Sequence, residues 1–510
     1  MRRYLTFSAL VALSFLFIPA ASWSQYSIKS YTLNVDDDGD YPLQIDINRD
    51  GVPDFLGGSQ NLVSANGAYS YKSAAAFRAQ GTGYGDFNND GIPDYVTGSV
   101  DYLYVYLGDG KGGYTLWQTA RGQAAAQYIV ADFNGDGRQD IASLVLLNSS
   151  STTGGGFEVD LYLNNGNGFD NAKTVFQTTF PAGNQGGWPR SEPGLNMEPP
   201  FFDFALGDFD ADGHADLMLR TLRSSWNTPE PIPVTFIRVL YGDGHGNFTT
   251  KTVTSGSTLD QVTVADMNND GVSDIVAVNG DQATVYYGHA DRTFSSASIA
   301  TPGAIHLQPM LVDVNSDGLK DIVYIATCPS TDTCPDVPAG ATPTGIITLI
   351  QSAAHTFTST GFTQVQNVFT RGFIGDLNHD GRLDVALHTG PLENDNYQAV
   401  AQLYVITNTR SVARYCPAPA GTGFHICTPA AGTTVASPVS FNFSASSIYP
   451  IRKLEVWVDG TKRSETWNSV GQQAFSRESL ALSSGKHKVS LVSGAYDGSV
   501  RKTNFSLTVK

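Results

Sequence analysis

The sequence has few basic residues. Lysine and arginine number 31 against 48 aspartates and glutamates among 510 residues, which leaves a formal net charge of -17. A surface of this sign repels the phosphate backbone, which argues against nucleic acid as a partner. Charged residues of both signs make up only 15% of the chain, whereas 41% is hydrophobic. That apolar content is sufficient for a folded core, so a disordered chain is excluded.

Cysteine is also scarce. Cys328 and Cys334 lie in the string CPSTDTC, and Cys416 and Cys427 bracket PAPAGTGFHI. Neither pair has the C-x-x-C spacing that is common in zinc sites, so zinc is the weaker alternative. We expect two short-range disulfides, which form outside the reducing cytoplasm.

Long apolar runs are absent after the first residues. Arg2 and Arg3 precede the apolar string YLTFSALVALSFLFIPA, and the small residues Ser22 and Ser24 precede Gln25. This order is typical of a signal peptide over residues 1–24, with a retained membrane anchor as the alternative. We therefore expect an exported protein, secreted or on the cell surface, with no membrane span after the signal is removed.

Common catalytic motifs are missing as well. The chain contains neither G-x-S-x-G nor H-E-x-x-H. Whether the protein is an enzyme is therefore uncertain from the sequence, and no catalytic residue is assigned.

Glycine and aromatic residues are abundant, with 52 glycines and 23 tyrosines. Together with many β-branched residues, this composition indicates an all-β protein. A chain of 510 residues is too long for one ordinary core, so we expect two domains.

One acidic motif, D-x-[DN]-x-D-G-x-x-D, occurs seven times. We number the copies as acidic loops 1 to 7, at residues 46–54, 86–94, 132–140, 208–216, 266–274, 313–321 and 376–384. Seven matches at five fixed positions exclude chance.

The spacing of the motif predicts a calcium site. Side-chain oxygens at positions 1, 3, 5 and 9 and the carbonyl at position 7 would surround an ion, and the glycine at position 6 permits the sharp turn. All of these ligands are hard oxygens, which suit calcium better than zinc or copper. The candidate ligands are Asp46, Asn48, Asp50, Val52, Asp54; Asp86, Asn88, Asp90, Ile92, Asp94; Asp132, Asn134, Asp136, Arg138, Asp140; Asp208, Asp210, Asp212, His214, Asp216; Asp266, Asn268, Asp270, Val272, Asp274; Asp313, Asn315, Asp317, Leu319, Asp321; Asp376, Asn378, Asp380, Arg382 and Asp384.

Position 2 of the motif is always apolar, so its side chain should point into a core while its neighbours face the ion. A series of Asx-turns without metal is the alternative, but clustered carboxylates repel one another unless a cation is present. Seven divalent ions would bring the formal charge from -17 to about -3. The residues at position 2 are Ile47, Phe87, Phe133, Phe209, Met267, Val314 and Leu377.

The strings after each loop are rich in β-forming residues, and most repeats contain a second, Gly-rich hairpin such as VYLGDGKGGY. Each repeat therefore predicts four strands, with the acidic loop between the first two and the hairpin between the last two. This is the pattern of a β-propeller blade, and seven copies predict seven blades. The segment Tyr26–Val35 should complete the last blade and cover its open edge.

The strings GDFNNDGIPDYV and ADFNGDGRQDIA resemble FG-GAP, or VCBS, repeats, the family that builds the seven-bladed propeller of integrin α chains. The resemblance covers residues 26–409. It implies up to seven calcium ions in the loops, and the better-known members bind proteins or glycans.

Five long connections should lie on the face opposite the acidic loops. Long loops on a rigid scaffold often carry binding residues. Trp188, Trp226 and Tyr397 are candidates for stacking on a sugar or gripping a peptide, and Arg190 and Arg223 for contacting a carboxylate. The alternative is that these side chains only pack between neighbouring loops.

The repeats end near residue 412. Residues 25–412 are assigned to the propeller, and 413–427 to a linker that Cys416 and Cys427 would bracket. Alternating strands over 428–510 resemble an Ig-like β-sandwich, whose role could be spacing, attachment or glycan binding.

These features favour a secreted calcium-binding module that recognises an extracellular protein or glycan. A polysaccharide lyase or hydrolase and a purely structural surface module are the alternatives.

Removing calcium should destabilise the protein, because an ion that binds only the folded state stabilises it by mass action. The contribution is about 2.7 kcal/mol for each site at a free concentration 100 times the dissociation constant. Calorimetry with calcium and with chelator should therefore show melting temperatures that differ by many degrees. Coincident melting curves would contradict the metal assignment.

Overall fold

The structure is a computed structural model that describes a large part of the chain. The described residues are 26–34, 43–48, 50, 52, 54–57, 60–65, 68–73, 83–98, 102–110, 113–122, 125–147, 156–179, 184–186, 202–225, 234–256, 261–279, 282–301, 309–312, 319–327, 344–365, 369–389, 392–393, 399–408, 415–447, 451–467, 473–495 and 499–510. The expected signal peptide lies outside them.

The described residues form an all-β fold, and no helix in them has the length and apolarity that crossing a membrane requires. The N-terminal strand is β1 (Tyr26–Asn34). Sheet 1 contains β2 (Leu43–Ile45), β3 (Asp54–Gly57), β4 (Gln60–Ala65) and β5 (Ala68–Ser73). Sheet 2 contains β6 (Gly83–Gly85), β7 (Asp94–Gly98), β8 (Tyr102–Gly108) and β9 (Tyr114–Arg121). Sheet 3 contains β10 (Ala125–Ala131), β11 (Asp140–Leu147), β12 (Gly156–Tyr162) and β13 (Lys173–Thr179).

The next four sheets continue the same pattern. Sheet 4 contains β14 (Asn184–Gly186), β15 (Phe202–Gly207), β16 (Asp216–Ser225), β17 (Val234–Gly242) and β18 (Phe248–Gly256). Sheet 5 contains β19 (Gln261–Ala265), β20 (Asp274–Asn279), β21 (Gln282–Gly288) and β22 (Phe294–Ala300). Sheet 6 contains β23 (Met310–Val312), β24 (Asp321–Thr327), β25 (Thr344–Gln351) and β26 (Phe357–Val365). Sheet 7 contains β27 (Phe369–Gly375), β28 (Asp384–Thr389), β29 (Leu392–Glu393) and β30 (Ala399–Asn408), together with β1.

In each of these sheets the strands pair antiparallel, mostly in chain order. Every acidic loop therefore joins two consecutive strands of its sheet, such as β6 and β7 in sheet 2, and the Gly-rich hairpins lie at the same end. The short strand β14 is an addition, because it pairs with the end of β16 beyond the part that pairs with β15.

The N-terminal strand belongs to the last repeat. β1 pairs antiparallel with β30 over nine residues, from Tyr26 opposite Asn408 to Asn34 opposite Val400. The predicted pairing of this strand with the last repeat is confirmed. It covers an edge of β30 that would otherwise present unpaired backbone groups.

Apolar side chains fill the spaces between neighbouring sheets. Val52 and Phe55 of sheet 1 belong to one buried cluster with Leu377 and Leu403 of sheet 7. Similar clusters join sheets 2 and 3, 3 and 4, 4 and 5, and 5 and 6. The prediction that position 2 of the motif is buried is confirmed in the described loops, with exposures of 5% or less for Ile47, Phe87, Phe133, Phe209, Met267 and Leu377.

The C-terminal part of the chain forms two further sheets that share one core. One contains β31 (Gly423–Thr428), β33 (Val439–Ser446) and β36 (Gln473–Leu480). The other contains β32 (Thr434–Val435), β34 (Ile451–Val458), β35 (Thr461–Trp467), β37 (Gly485–Ala495) and β38 (Val500–Val509). Phe441 and Phe443 of the first sheet are buried in one cluster with Val456 and Leu491 of the second. We call this pair of sheets the C-terminal unit.

The predicted disulfide between Cys416 and Cys427 is present. Cys427 lies in β31, and Cys416, which precedes that strand, is fully buried. His425 lies close enough to form a three-residue metal-like group with both cysteines, but the two sulfurs are bonded to each other. The zinc alternative is therefore wrong for this pair, while Cys328 and Cys334 lie outside the described residues.

Deleting residues 26–34 should leave β30 without its outer partner. We expect a lower melting temperature and self-association, because an uncovered edge strand pairs with other chains. Light scattering and thermal melts measure both effects, and a synthetic peptide of residues 26–34 should restore the monomer by adding back the missing strand. A monomeric deletion variant with an unchanged melt would contradict the importance of this pairing.

Candidate metal centres in the acidic loops

The backbone of each fully described loop makes the predicted sharp turn. Gly91 and Gly271 at position 6 have φ angles of 77° and 88°, in the left-handed region that favours glycine. Position 4 also adopts left-handed φ, at 59° for Asn89 and 58° for His379. The motif did not predict this second constraint, for which Asn89, Gly135 and Asn269 at position 4 of three copies were a signal.

The aspartate at position 1 caps the turn from inside. In loop 2, Asp86 Oδ1 accepts a hydrogen bond from the Asp90 backbone N–H at 2.9 Å, and Oδ2 accepts one from Gly91 at 2.7 Å. Loops 5 and 7 repeat both bonds. The side chain at position 3 takes part too, since Asn88 Oδ1 also accepts from the Asp90 N–H, at 3.1 Å. Positions 1, 3 and 5 are thereby drawn onto one turn.

The aspartate at position 9 joins three strand ends. Asp94 Oδ2 accepts a hydrogen bond from the Phe87 N–H at 2.8 Å, and Oδ1 accepts one from the Gly108 N–H at 2.9 Å. The same pair of bonds occurs in loops 1, 3, 4 and 5. The sequence predicted this residue only as a metal ligand, whereas the structure shows it holding the loop to the end of the third strand. All seven of these aspartates are fully buried: Asp54, Asp94, Asp140, Asp216, Asp274, Asp321 and Asp384.

Burial of these carboxylates makes their charge costly. Burial is the main reason that the pKa of Asp94 and Asp140 is raised to about 7, and the charges of the other aspartates in each loop act in the same direction. Burial likewise raises the pKa of Asp216 to about 8 and that of Asp266, at position 1 of loop 5, to about 6. A cation near these groups would favour the ionised form and lower each pKa.

Position 7 differs between loops. The side chains of Arg138 and Arg382 turn back and pair with the position-5 aspartates Asp136 and Asp380. Val52 is fully buried, and the ring of His214 lies against Gly244 of the neighbouring hairpin. Only the backbone carbonyl of position 7 is therefore a candidate ligand.

Neighbouring repeats are joined by hydrogen bonds at the first residue of the acidic loop. The Asp86 N–H donates to Gln139 Oε1 of loop 3 at 2.7 Å. The Asp208 N–H donates to Ser273 Oγ of loop 5 at 2.9 Å, and the Ser273 N–H donates back to the Asp208 carbonyl at 2.8 Å. Gln139 and Ser273 both occupy position 8 of the following loop. We call this contact the inter-repeat latch.

Loop 7 is latched by the C-terminal unit. Gln473 Oε1 accepts a hydrogen bond from the Asp376 N–H at 2.8 Å, and Gln473 Nε2 donates to the Asp376 carbonyl at 3.1 Å. Position 8 of loop 1 is Pro53, whose side chain has no hydrogen-bonding group. A glutamine from outside the repeats therefore makes the contact that Gln139 makes for loop 2.

The donor set of the fully described loops fits a hard divalent cation. Carboxylate, amide and carbonyl oxygens are the ligands that calcium and magnesium prefer, and none of these loops contains cysteine. The closest group of three carboxylates in the described chain is Asp208, Asp210 and Asp216 of loop 4, whose oxygens lie within 4.8 Å of one another. In loop 1, residues 49, 51 and 53 lie outside the described residues, as do Asp313, Asn315 and Asp317 of loop 6.

Most of the predicted ligand-binding residues cannot be placed. Trp188, Arg190, Trp226 and Tyr397 lie outside the described residues. The prediction that Arg223 lies in a connection is wrong. It lies within β16, where it pairs with Val234 of β17 and with Gly186 of the additional strand β14.

A protein-family model described as an FG-GAP-like repeat matches residues 86–143, 208–277 and 266–324. These segments contain loops 2 to 6, whereas loops 1 and 7 lie outside them. A search of curated proteins found no match. The chain thus carries FG-GAP-like repeats between residues 86 and 324, on an all-β fold of small, separate sheets.

Replacing Asp94 with alanine should destabilise sheet 2 even without metal. The change leaves the buried N–H of Phe87 and the half-buried N–H of Gly108 without acceptors, and a fully buried group of this kind costs about 1–3 kcal/mol. Denaturant unfolding in chelator should show a loss of roughly 2 to 5 kcal/mol.

The matched control for this change is Asp170→Ala. Asp170 is exposed and accepts a side-chain hydrogen bond only from exposed Asn165, so its loss should stay within about 0.5 kcal/mol. Equal losses for the two variants would show that the position-9 aspartate does not hold the strand ends.

Proposed function

We propose that this chain is an exported, calcium-binding β-propeller protein that recognises a protein or glycan outside the cell. Residues 25–412 form the propeller with seven blades, and residues 428–510 form an Ig-like sandwich after the linker 413–427. Seven sheets built on the same four-strand plan support this architecture. The packing of sheet 1 on sheet 7 and the pairing of β1 with β30 support closure into a ring.

The observation that best supports calcium binding is the negative charge of the aspartates in loop 5. Asp266 and Asp274 are almost fully buried, and Asp270 lies on the same turn. The positive charge of Lys320, at position 8 of loop 6, acts on Asp266, but one positive charge does not balance three carboxylates. A buried carboxylate is stable only when its charge is balanced. The hard oxygens of the turn make a divalent cation such as calcium the ligand that best supplies this balance.

The placement of the connections supports recognition. In the antiparallel sheets, the connections between second and third strands begin at the end opposite the acidic loops. The longest of them, at 148–155, 226–233 and 328–343, lie outside the described residues, but the strands they join end on that side. Ions bound on one face would make the scaffold rigid, while the loops on the other face could vary in sequence. Binding loops usually lie on such rigid scaffolds.

A glycan array with and without chelator tests this function. We expect the wild type to bind glycan in the presence of calcium. The affinity should fall at least tenfold in Trp188→Ala or Trp226→Ala, because stacked aromatic rings often dominate such contacts. Tyr102→Ala, an exposed tyrosine on a strand of sheet 2, is the control that should bind normally.

Three other outcomes separate the alternatives. Binding that survives both tryptophan changes would contradict the proposed face. New unsaturated ends after incubation with uronic-acid polymers would identify a lyase. A chain that binds no glycan, and no protein in a parallel panel of extracellular proteins, would be the structural module.

A further inference from the structure

Loop 4 carries more negative charge than the other loops. Position 3 is Asp210, where each of the other six copies has asparagine. Asp208 and Asp210 are buried, with exposures of 1% and 7%. Oxygens of both lie within 4.8 Å of an oxygen of Asp216. This arrangement requires positive charge nearby.

Two arginines from distant parts of the chain supply that charge. Arg292, in the hairpin between β21 and β22, donates from Nε to Asp210 Oδ2 at 2.7 Å. Arg452 of the C-terminal unit pairs with Asp208 Oδ2 and donates from its NH1 group to the Gly213 carbonyl at 3.0 Å. Its side chain is only 13% exposed. Two guanidinium groups carry the same charge as one divalent ion.

The strand that carries Arg452 is shaped for this contact. The register of β34 against β37 shifts between Ile451 and Lys453, so Arg452 is the extra residue of a β-bulge. Bulges turn a side chain away from the regular alternation of a strand. The neighbouring side chains of β34 therefore keep their places in the sheet while Arg452 reaches loop 4.

The hydrogen bonds inside loop 4 differ accordingly. In loops 2, 3, 5 and 7 the position-1 aspartate accepts a bond from the position-5 N–H. In loop 4 the Asp212 N–H bonds to Asp210 instead. Asp208 Oδ1 is buried and accepts no hydrogen bond from the described residues. Asp208 therefore depends on Arg452 for the balance of its charge.

A second contact holds the C-terminal unit in the same place. Asp376 of loop 7 accepts a hydrogen bond on Oδ2 from the Ala418 N–H at 2.9 Å, in addition to its latch with Gln473. The Tyr415 N–H donates to the Gly381 carbonyl at 3.1 Å. The C-terminal unit thus contacts the acidic-loop face at two loops.

We propose that loop 4 is a guanidinium site. Arg452, together with Arg292, takes the place that a divalent cation takes in the other loops, and the C-terminal unit docks on the acidic-loop face through it. The proposal rests on the proposed function in one respect, namely that the other loops bind calcium. It predicts that cation binding and Arg452 compete for loop 4.

Counting the bound calcium tests the competition. The full exported chain is equilibrated with calcium by dialysis and its metal content is measured. Arg452→Met should bind one calcium more per chain than the wild type. Arg463→Met is the control, since Arg463 is exposed in the same unit and bonds only to the Ala481 carbonyl, and it should match the wild type. Equal calcium contents in Arg452→Met and the wild type would overturn the proposal.

Thermal melts in chelator test the arginine site without calcium. Asp208→Asn and Arg452→Met should each lower the melting temperature. The double variant should melt no lower than the less stable of the two single variants, because both changes remove the same ion pair. Losses that add would overturn the proposal. A wild type that binds no calcium would contradict the proposed function alone, and the melts would still decide the arginine site.

Discussion

A buried aspartate at the ninth position of each acidic motif is the point on which the repeats depend. In loops 1 to 5 its two carboxylate oxygens accept backbone N–H groups from the start of the loop and from the end of the third strand, as Asp94 does with Phe87 and Gly108. A neutral side chain of similar size could not serve both donors equally, so the charge is part of the fold. Burial raises the pKa of this group to about 7 in Asp94. The same interaction that organises the strands therefore creates a demand for positive charge beside them.

Neighbouring repeats contact one another at the acidic loops, where the buried charge also lies. The first residue of a loop is latched by the next repeat, through Gln139 for loop 2 and Ser273 for loop 4. Loop 7 receives the corresponding contact from Gln473 of the C-terminal unit. The C-terminal unit thus continues the inter-repeat contact of the sheets beyond the last repeat. Charge balance and the backbone contacts between repeats therefore coincide at the acidic loops.

The spacing of nearby residues was enough to predict the features that depend on local backbone geometry. The buried apolar residue at position 2, the left-handed glycine at position 6, the pairing of β1 with the last repeat and the disulfide between Cys416 and Cys427 follow from spacing and periodicity. Contacts between distant segments could not be predicted from the sequence. The residue at position 8 varies between repeats, and only the fold shows that it contacts Asp86 in one case and Asp208 in another. Arg452 belongs to the same class, since its partner Asp208 lies 244 residues away in the chain. Arg223 lies in a strand because β16 pairs with both β14 and β17 at this residue, and no periodicity in the sequence predicted either extension.

The central claim is that the acidic loops hold divalent cations which balance the buried aspartates. The most direct measurement is an anomalous diffraction map from crystals grown in calcium. The account predicts peaks in loops 2, 3, 5 and 7, each about 2.3–2.6 Å from the oxygens at positions 1, 3, 5, 7 and 9. Loops without anomalous peaks, holding only water between their carboxylates, would contradict it.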